Sequence, residues 1–273
     1  MEELKKIISS MESVLVAYSG GVDSNFLLKV ALDTLGKDKV VAVTAESVTF
    51  PDWELDFAKQ IAKQWSVKHI IIETEELNNP DFFNNSKDRC YFCKKELFTK
   101  LKTVANQENL NFVVDGANFD DLNDYRPGMR AAAELNVRSP LKEARLTKKD
   151  IRKFSKDLNL STWDKPSFAC LSSRFPYGEI ITEKGLYQVG EAEKFLKELG
   201  FRQLRVRHHE TMARVEVLSD EVDKFLDRAL RTKVVNKLKN IGYKYVTIDL
   251  EGYRTGSMNE VLEGGDKNEK NIS

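Results

Sequence analysis

What this chain lacks already excludes several kinds of protein. Cysteine occurs three times in 273 residues, at Cys90, Cys93 and Cys170, which is too few for a disulfide framework. Net charge is absent, because 43 Lys+Arg balance 43 Asp+Glu. Domains that hold long nucleic acid mainly by charge are usually basic, so that class is disfavoured, although a local basic groove is not. No long apolar run exists. Stretches such as Val40-Val41-Ala42-Val43 are far shorter than the roughly 20 residues needed to span a bilayer. The opening Met1-Glu2-Glu3-Leu4-Lys5-Lys6 lacks the basic-then-apolar order of a secretory signal. A cytoplasmic chain without membrane contact is expected. Neither the GxxxxGK[ST] loop nor the GxGxxG fingerprint is present, which disfavours Walker-type NTPases and dinucleotide dehydrogenases. Internal repeats and low-complexity blocks are also missing.

What is present supports a full core: 41% of residues are hydrophobic. The length suits one large domain or two smaller ones at about 100–200 residues each. Apolar runs predict strands over 13–18, 40–44, 69–73 and 112–115. Helical segments are expected over 2–12, 25–35, 51–65 and 93–106. Strands alternating with helices imply parallel βαβ units and an α/β sheet covered on both faces. The pattern then changes. Residues 116–145 are polar and irregular with one short helix near 129–135, and 147–158 is amphipathic. Residues 163–178 carry two prolines and no clear period. A helix over 183–199, strands over 204–208 and 213–218, a helix over 220–239 and a strand over 245–250 make a small α+β unit. These features place a first domain over 1–170, a C-terminal α+β substrate or oligomerisation domain over 171–263, and a polar, mobile tail over 264–273.

The strongest local signal is Ser19-Gly20-Gly21-Val22-Asp23-Ser24, between the first strand and a helix. Two glycines let backbone approach an anion closely, and the helix start offers unpaired N–H groups and a positive dipole end. The Ser19 and Ser24 hydroxyls add donors. The plain alternative is a glycine turn with an ordinary N-cap. Two polar segments end later strands, where a nucleotide lies in such sheets. One is Thr44-Ala45-Glu46-Ser47, the other Gly116-Ala117-Asn118-Phe119-Asp120-Asp121. Either could be a plain polar loop.

Cys90-Tyr91-Phe92-Cys93 is a CxxC, and Cys170 lies far away in sequence. A structural zinc site needs a fourth ligand, and no histidine stands at a suitable spacing. Three thiolates suit a [4Fe–4S] cluster with one iron left open. A redox dithiol or buried structural cysteines fit the spacing equally well. His208-His209 are adjacent on a strand, point to opposite faces and make poor co-ligands.

The hexapeptide resembles the PP-motif of the PP-loop ATP pyrophosphatases, the adenine nucleotide α-hydrolase-like superfamily. That resemblance implies an α/β fold with a parallel sheet and a smaller C-terminal α+β domain. It also implies ATP cleavage between the α- and β-phosphates. Ser19, Gly20, Gly21, Val22, Asp23, Ser24, Thr44, Glu46, Gly116 and Asn118 would bind the nucleotide, with Asp23 acting through Mg²⁺. Five segments make the whole chain similar to one branch of that superfamily, the ATP-dependent sulfur insertases. They are the PP-motif, Arg89-Cys90-Tyr91-Phe92-Cys93-Lys94, Asp124-Tyr125-Arg126-Pro127-Gly128, Pro166 to Gly178, and Arg205-Val206-Arg207-His208. The likeness runs on to Gly252-Tyr253-Arg254-Thr255-Gly256-Ser257.

The resemblance implies a substrate, pyridinium-3,5-biscarboxylic acid mononucleotide, whose carboxylates are adenylated and converted to thiocarboxylates for the nickel-pincer nucleotide cofactor of lactate racemase. Some members carry only the counterpart of Cys170 and sacrifice its sulfur. The additional Cys90 and Cys93 point to the branch in which all three thiolates hold a [4Fe–4S] cluster and an external sulfide source supplies the sulfur. Ser173, Arg174, Arg205 and Arg207 are candidates for the substrate's phosphate or carboxylates, which guanidinium matches bidentately. Arg205 and Arg207 could equally be a solvated strand face. Asp124, Arg126 and Arg130 fall in a family-like loop without assigned roles. The family also implies a homo-oligomer. The competing readings are a tRNA-thiolating member, which needs an RNA-binding surface, a nitrogen-transferring synthetase, and a non-enzymatic nucleotide-binding module.

Overall fold

The computed structural model describes residues 1–123, 127–254 and 257. Asp124, Arg126 and the tail over 264–273 lie outside the described residues. The chain divides into two compact units, one of residues 1–83 and 87–168, the other of residues 84–86 and 169–273.

The first unit contains α1 (Glu2–Ser9), β1 (Val14–Ala17), α2 (Val22–Leu35), β2 (Val40–Glu46), α3 (Asp52–Gln64), β3 (Lys68–Glu73), α4 (Pro80–Phe83), α5 (Arg89–Gln107), β4 (Phe112–Val114), α6 (Gly128–Glu134), α7 (Pro140–Glu143) and α8 (Lys148–Asp157). Its four strands are all parallel, in the order β3-β2-β1-β4. This is the parallel α/β sheet that the alternation of strands and helices predicts. Strand periodicity sorts the side chains onto two faces. Val14, Val16, Val40 and Ala42 pack with α1, α2 and α8 through Leu4, Ile8, Phe26, Leu27 and Ile151. Leu15, Val41 and Val43 face the other way, onto Phe98, Leu101 and Ala105 of α5 and Ala131 of α6. Each fully buried Leu or Phe stabilises the unit by about 1.5–3 kcal/mol.

Two helix starts differ from the periodicity. α2 begins at Val22, three residues before the apolar run, because the Gly21 backbone is already extended and serves as its N-cap. α5 begins at Arg89, so the CxxC lies inside its first turns. The polar stretch before α8 holds two short helices where one is expected, the second opened by Pro140, whose missing N–H is harmless there. Thr147 and Asp150 form a reciprocal capping box on α8.

The second unit contains α9 (Glu183–Glu198), β5 (Leu204–His209), β6 (Met212–Val217), α10 (Arg228–Ile241) and β7 (Tyr245–Ile248). β5 and β6 are antiparallel and β6 and β7 parallel. The β5–β6 turn has Glu210 in the left-handed region at φ 48°. Leu196, Val206, Val215, Val234 and Leu238 form its core. The helix expected over 220–239 is broken. Residues 219–226 wind as a 3-10 helix, and α10 restarts with Asp227, whose carboxylate accepts from Leu230 N at 2.6 Å. Asn85 belongs to this unit despite its early position: its Nδ2 donates to the carbonyls of Phe175 and Pro176, and Gly178 N donates to its carbonyl. Among the described residues no helix is long and apolar enough to cross a membrane.

Candidate active site

β1 delivers the chain into the Ser19–Ser24 turn at the centre of the sheet, and α2 leaves from it. Gly20 has φ 66°, the left-handed region, and a Cβ there would lie 3.1 Å from the Ala58 Cβ. Both facts require glycine. The turn is tied internally. Ser19 N donates to Ser24 Oγ (3.3 Å), and Ser24 Oγ donates to Gly21 O (3.2 Å). Among the described residues no side chain caps α2, which leaves its first backbone N–H groups and the positive end of the helix dipole able to receive an anion. Gly116, just after β4, backs the turn: a Cβ on it would lie 3.2 Å from Ser24 N.

Residues that the motif does not reveal hold this turn. Asn25 is fully buried, at 0% exposure. Its Nδ2 donates to Gly20 O (2.8 Å) and Gly21 O (3.1 Å), and its Oδ1 accepts from Tyr18 OH (2.6 Å). Lys165 Nζ donates to Gly20 O (3.1 Å) and Glu54 Oε2 (2.6 Å), and lies 3.9 Å from the centre of the Phe57 ring. Lys148 Nζ donates to Asp23 Oδ2 (2.7 Å), while its backbone N donates to Asp120 Oδ2 (2.8 Å). The other Asp23 oxygen, Oδ1, is buried and has no hydrogen-bond partner among the described residues. A buried, unsatisfied carboxylate oxygen beside an anion cradle fits a hard cation such as Mg²⁺.

Thr44 is buried at the end of β2, and its hydroxyl donates to Tyr18 O (2.6 Å). That hydroxyl has one proton, so the 2.8 Å contact with His69 Nε2 has the ring N–H as donor. Burial, with Lys59 nearby, holds His69 below its ordinary pKa and keeps it neutral; burial also raises the Tyr18 phenol. Thr44 therefore braces the turn from β2, whereas Glu46 at the strand end is exposed. Asn118 is buried with its Oδ1 accepting from Asp120 N (3.0 Å), and its N donates to Asp121 Oδ2 (2.9 Å).

Cys90 and Cys93 stand three residues apart on α5, on one side of the helix. Cys90 is exposed, and Cys93 Sγ lies 3.7 Å from Oε1 of the buried Glu76. Cys170 belongs to the other unit, at the head of the 3-10 turn Leu171–Arg174. None of the three is in a disulfide. The donor chemistry of three thiols suits iron–sulfur ligation. Among the described residues no group of three or more His, Cys, Asp or Glu side chains is arranged to hold a metal ion.

In the second unit Arg174, Arg205 and Arg207 are all buried. Arg174 pairs bidentately with Glu193, and Arg207 with Glu216. Glu193 is held below the ordinary carboxylate range: burial alone would raise it, but the Arg174 guanidinium and its hydrogen bonds, with Arg205 and the Val206 N–H, together outweigh burial. Arg205 lies 5.1 Å from the Tyr253 ring centre and is pulled down to about 10, first by burial and then by Arg174. His208 and His209 do face different partners: His208 packs at a tilt against Phe175 and contacts Tyr243 OH, and His209 lies near Glu179. Arg130, on α6, covers the Tyr91 ring at 4.0 Å.

Comparison with known proteins adds three relatives of nearly full length. The chain is 44% identical to an uncharacterized protein of Synechocystis sp., over 96% of this chain and 97% of that one. It is 39% identical to the pyridinium-3,5-bisthiocarboxylic acid mononucleotide synthase of Lactiplantibacillus plantarum, over 93% and 92%. It is 32% identical to an uncharacterized protein of Methanocaldococcus jannaschii, over 89% and 92%. The family model described as NAD synthase matches residues 2–105, the span that carries the PP-motif turn.

Proposed function

Because this chain belongs to the PP-loop family of the pyridinium-3,5-bisthiocarboxylic acid mononucleotide synthase, we propose that it is an ATP-dependent sulfur insertase acting on pyridinium-3,5-biscarboxylic acid mononucleotide. It adenylates the substrate's carboxylates and replaces oxygen by sulfur, with AMP and pyrophosphate released, and serves nickel-pincer nucleotide synthesis. The observation that carries this reading is the start of α2 beside Asp23: among the described residues no side chain caps the helix and the buried Asp23 Oδ1 has no hydrogen-bond partner.

The residues divide the work as follows. The Gly20–Ser24 backbone and the head of α2 hold the β- and γ-phosphates and stabilise the departing pyrophosphate. Lys148 keeps Asp23 oriented, and Asn25 with Lys165 fixes the Gly20 carbonyl. Mg²⁺, when bound, neutralises phosphate charge, and Asp23 would hold it. The substrate carboxylate oxygen attacks the α-phosphorus, and the bond to the bridging oxygen of pyrophosphate breaks. AMP is a good leaving group where a carboxylate oxygen is not, so a sulfur nucleophile can then take the acyl carbon. Cys90, Cys93 and Cys170 would hold a [4Fe–4S] cluster, which would supply the sulfide. Arg205 and Arg207 are the candidates for the substrate's anionic groups.

The Cys170 turn, whose carbonyl is held by Ser173 and Arg174, supports a second reading, in which Cys170 itself gives up the sulfur. Its own Sγ attacks the acyl carbon and AMP leaves. Loss of the Cys170 Cα proton then breaks the Cβ–S bond, giving the thiocarboxylate and a dehydroalanine.

Asp23→Ala should abolish pyrophosphate release with ATP and the biscarboxylate substrate; undiminished release overturns the assigned ATP site. Under anaerobic conditions Cys90→Ala should abolish thiolation if the cluster supplies sulfur. One round of product with loss of one H₂S from Cys170 selects the sacrificial route instead.

A further inference from the structure

Cys170 heads a turn whose backbone is gripped by two guanidinium groups, each braced by a buried carboxylate. The Cys170 carbonyl accepts from Ser173 N (3.0 Å), Ser173 Oγ (2.8 Å) and Arg174 Nη1 (3.0 Å). The same Nη1 donates to Ala169 O at 2.7 Å. The carbonyls on both sides of the Cys170 Cα therefore converge on one guanidinium. The opposite edge of that guanidinium lies on Glu193, with Nε at 2.8 Å and Nη2 at 2.9 Å. Both residues are 0% exposed. Glu193 Oε1 also accepts from Val206 N (3.0 Å), which ties the turn to β5. One residue further on, Arg207 Nη1 donates to Ser173 O (3.0 Å) while its Nε and Nη2 rest on Glu216 at 2.8 Å each.

Buried ion pairs are weak evidence for stability, since apolar replacement of a whole pair is often neutral. What a bidentate pair does supply is direction. With the peptide groups on either side pinned, the Cα–Cβ bond of Cys170 is fixed and Sγ retains only rotation about χ1. Arg174, expected from the resemblance to meet substrate, instead has both edges on this turn and its brace.

We propose that Arg174, with Glu193 behind it and Arg207 beside it, is a positioning residue that aims the Cys170 thiol. The aim decides whether sulfur or water takes the activated acyl group. This rests on the reading above, in which Cys170 delivers or anchors the transferred sulfur. Water attack on the acyl-adenylate returns the carboxylate and AMP, so a misaimed thiol uncouples ATP cleavage from product.

The test measures thiocarboxylate formed per pyrophosphate released, anaerobically, with ATP and the biscarboxylate mononucleotide. Two variants are compared with wild type. Arg174→Met with Glu193→Leu removes the clamp together with both members of its bidentate ion pair. Ser173→Ala removes one bond to the Cys170 carbonyl and keeps the ion pair. The ratio should fall at least about tenfold in the double variant, and about two- to fivefold in Ser173→Ala, as expected when a reacting group is misplaced. A loss of packing alone would lower both products together and leave the ratio in place. Unchanged ratios in the variants that fold overturn the proposal; if the double variant does not fold, Ser173→Ala decides alone. Iodoacetamide alkylation of Cys170 in a Cys90→Ser/Cys93→Ser background gives a readout independent of turnover. Its rate should shift severalfold in the same variants, and an unchanged rate overturns the clamp. If Cys170→Ala still thiolates at the wild-type ratio, the sulfur reading fails while the alkylation rate continues to decide the clamp.

Discussion

Asn25 closes three gaps at once, and that makes it the most informative single residue in the ATP site. Removing its amide takes the acceptor from the buried Tyr18 hydroxyl and one donor each from the Gly20 and Gly21 carbonyls, which keep Lys165 and Ser24. A stranded buried polar group costs about 1–3 kcal/mol, so Asn25→Ala should lower the urea midpoint by a cost in that range and raise the KM for ATP. Gly20→Ala should cost about 1–2 kcal/mol from its left-handed φ, with the Ala58 contact adding to it, read by thermal melting. His69 carries a pH signature. Its folded pKa is lowered, so the unfolded chain binds the extra proton first. Its contribution is therefore complete above the unfolded value near 6.5 and is lost as pH falls below it. The melting temperature should fall with acid over that window, and His69→Gln should flatten the slope. None of these partnerships is legible along the chain. The glycine pair announces the turn, but Lys148 and Lys165 reach it from 125 and 145 residues away. No local pattern encodes such a contact.

At the scale of elements the sequence is more readable. The four parallel strands and their covering helices follow from alternation of apolar runs, because burial on two faces leaves a period that composition preserves. Helix ends are less readable. The expected helix over 220–239 fails at Asp227, where a short acidic side chain caps a new helix more favourably than it continues an old one. Asp227→Ala should cost about 1 kcal/mol, measured as a lower denaturation midpoint for the second unit. The CxxC presents the opposite case. Its spacing is visible, but its place inside α5 is not, and that place puts Cys93 against Glu76 across a turn from β3.

For the whole molecule, the balance of 43 basic and 43 acidic residues conceals a local concentration of guanidinium groups. Arg174, Arg205 and Arg207 are all buried in the second unit, where Arg174 pairs with Glu193 and Arg207 with Glu216. Formal counts register none of this, because compensation is summed over a surface that the site never sees. Iron content is a property of the intact chain as well. Anaerobic purification should give about four irons per chain if the cluster forms, and each of Cys90→Ala, Cys93→Ala and Cys170→Ala should lower that number. Iron that stays absent after anaerobic reconstitution removes the cluster from the mechanism and leaves the sacrificial route.

Asn85 carries a practical consequence for anyone dissecting the protein. It sits fully enclosed at φ 56°, among residues that come some ninety positions later. A polypeptide begun at residue 169 would leave the Phe175 and Pro176 carbonyls without that amide. Splitting the gene at a single point therefore cannot yield two self-sufficient products, and the smaller half should need the larger one supplied alongside it.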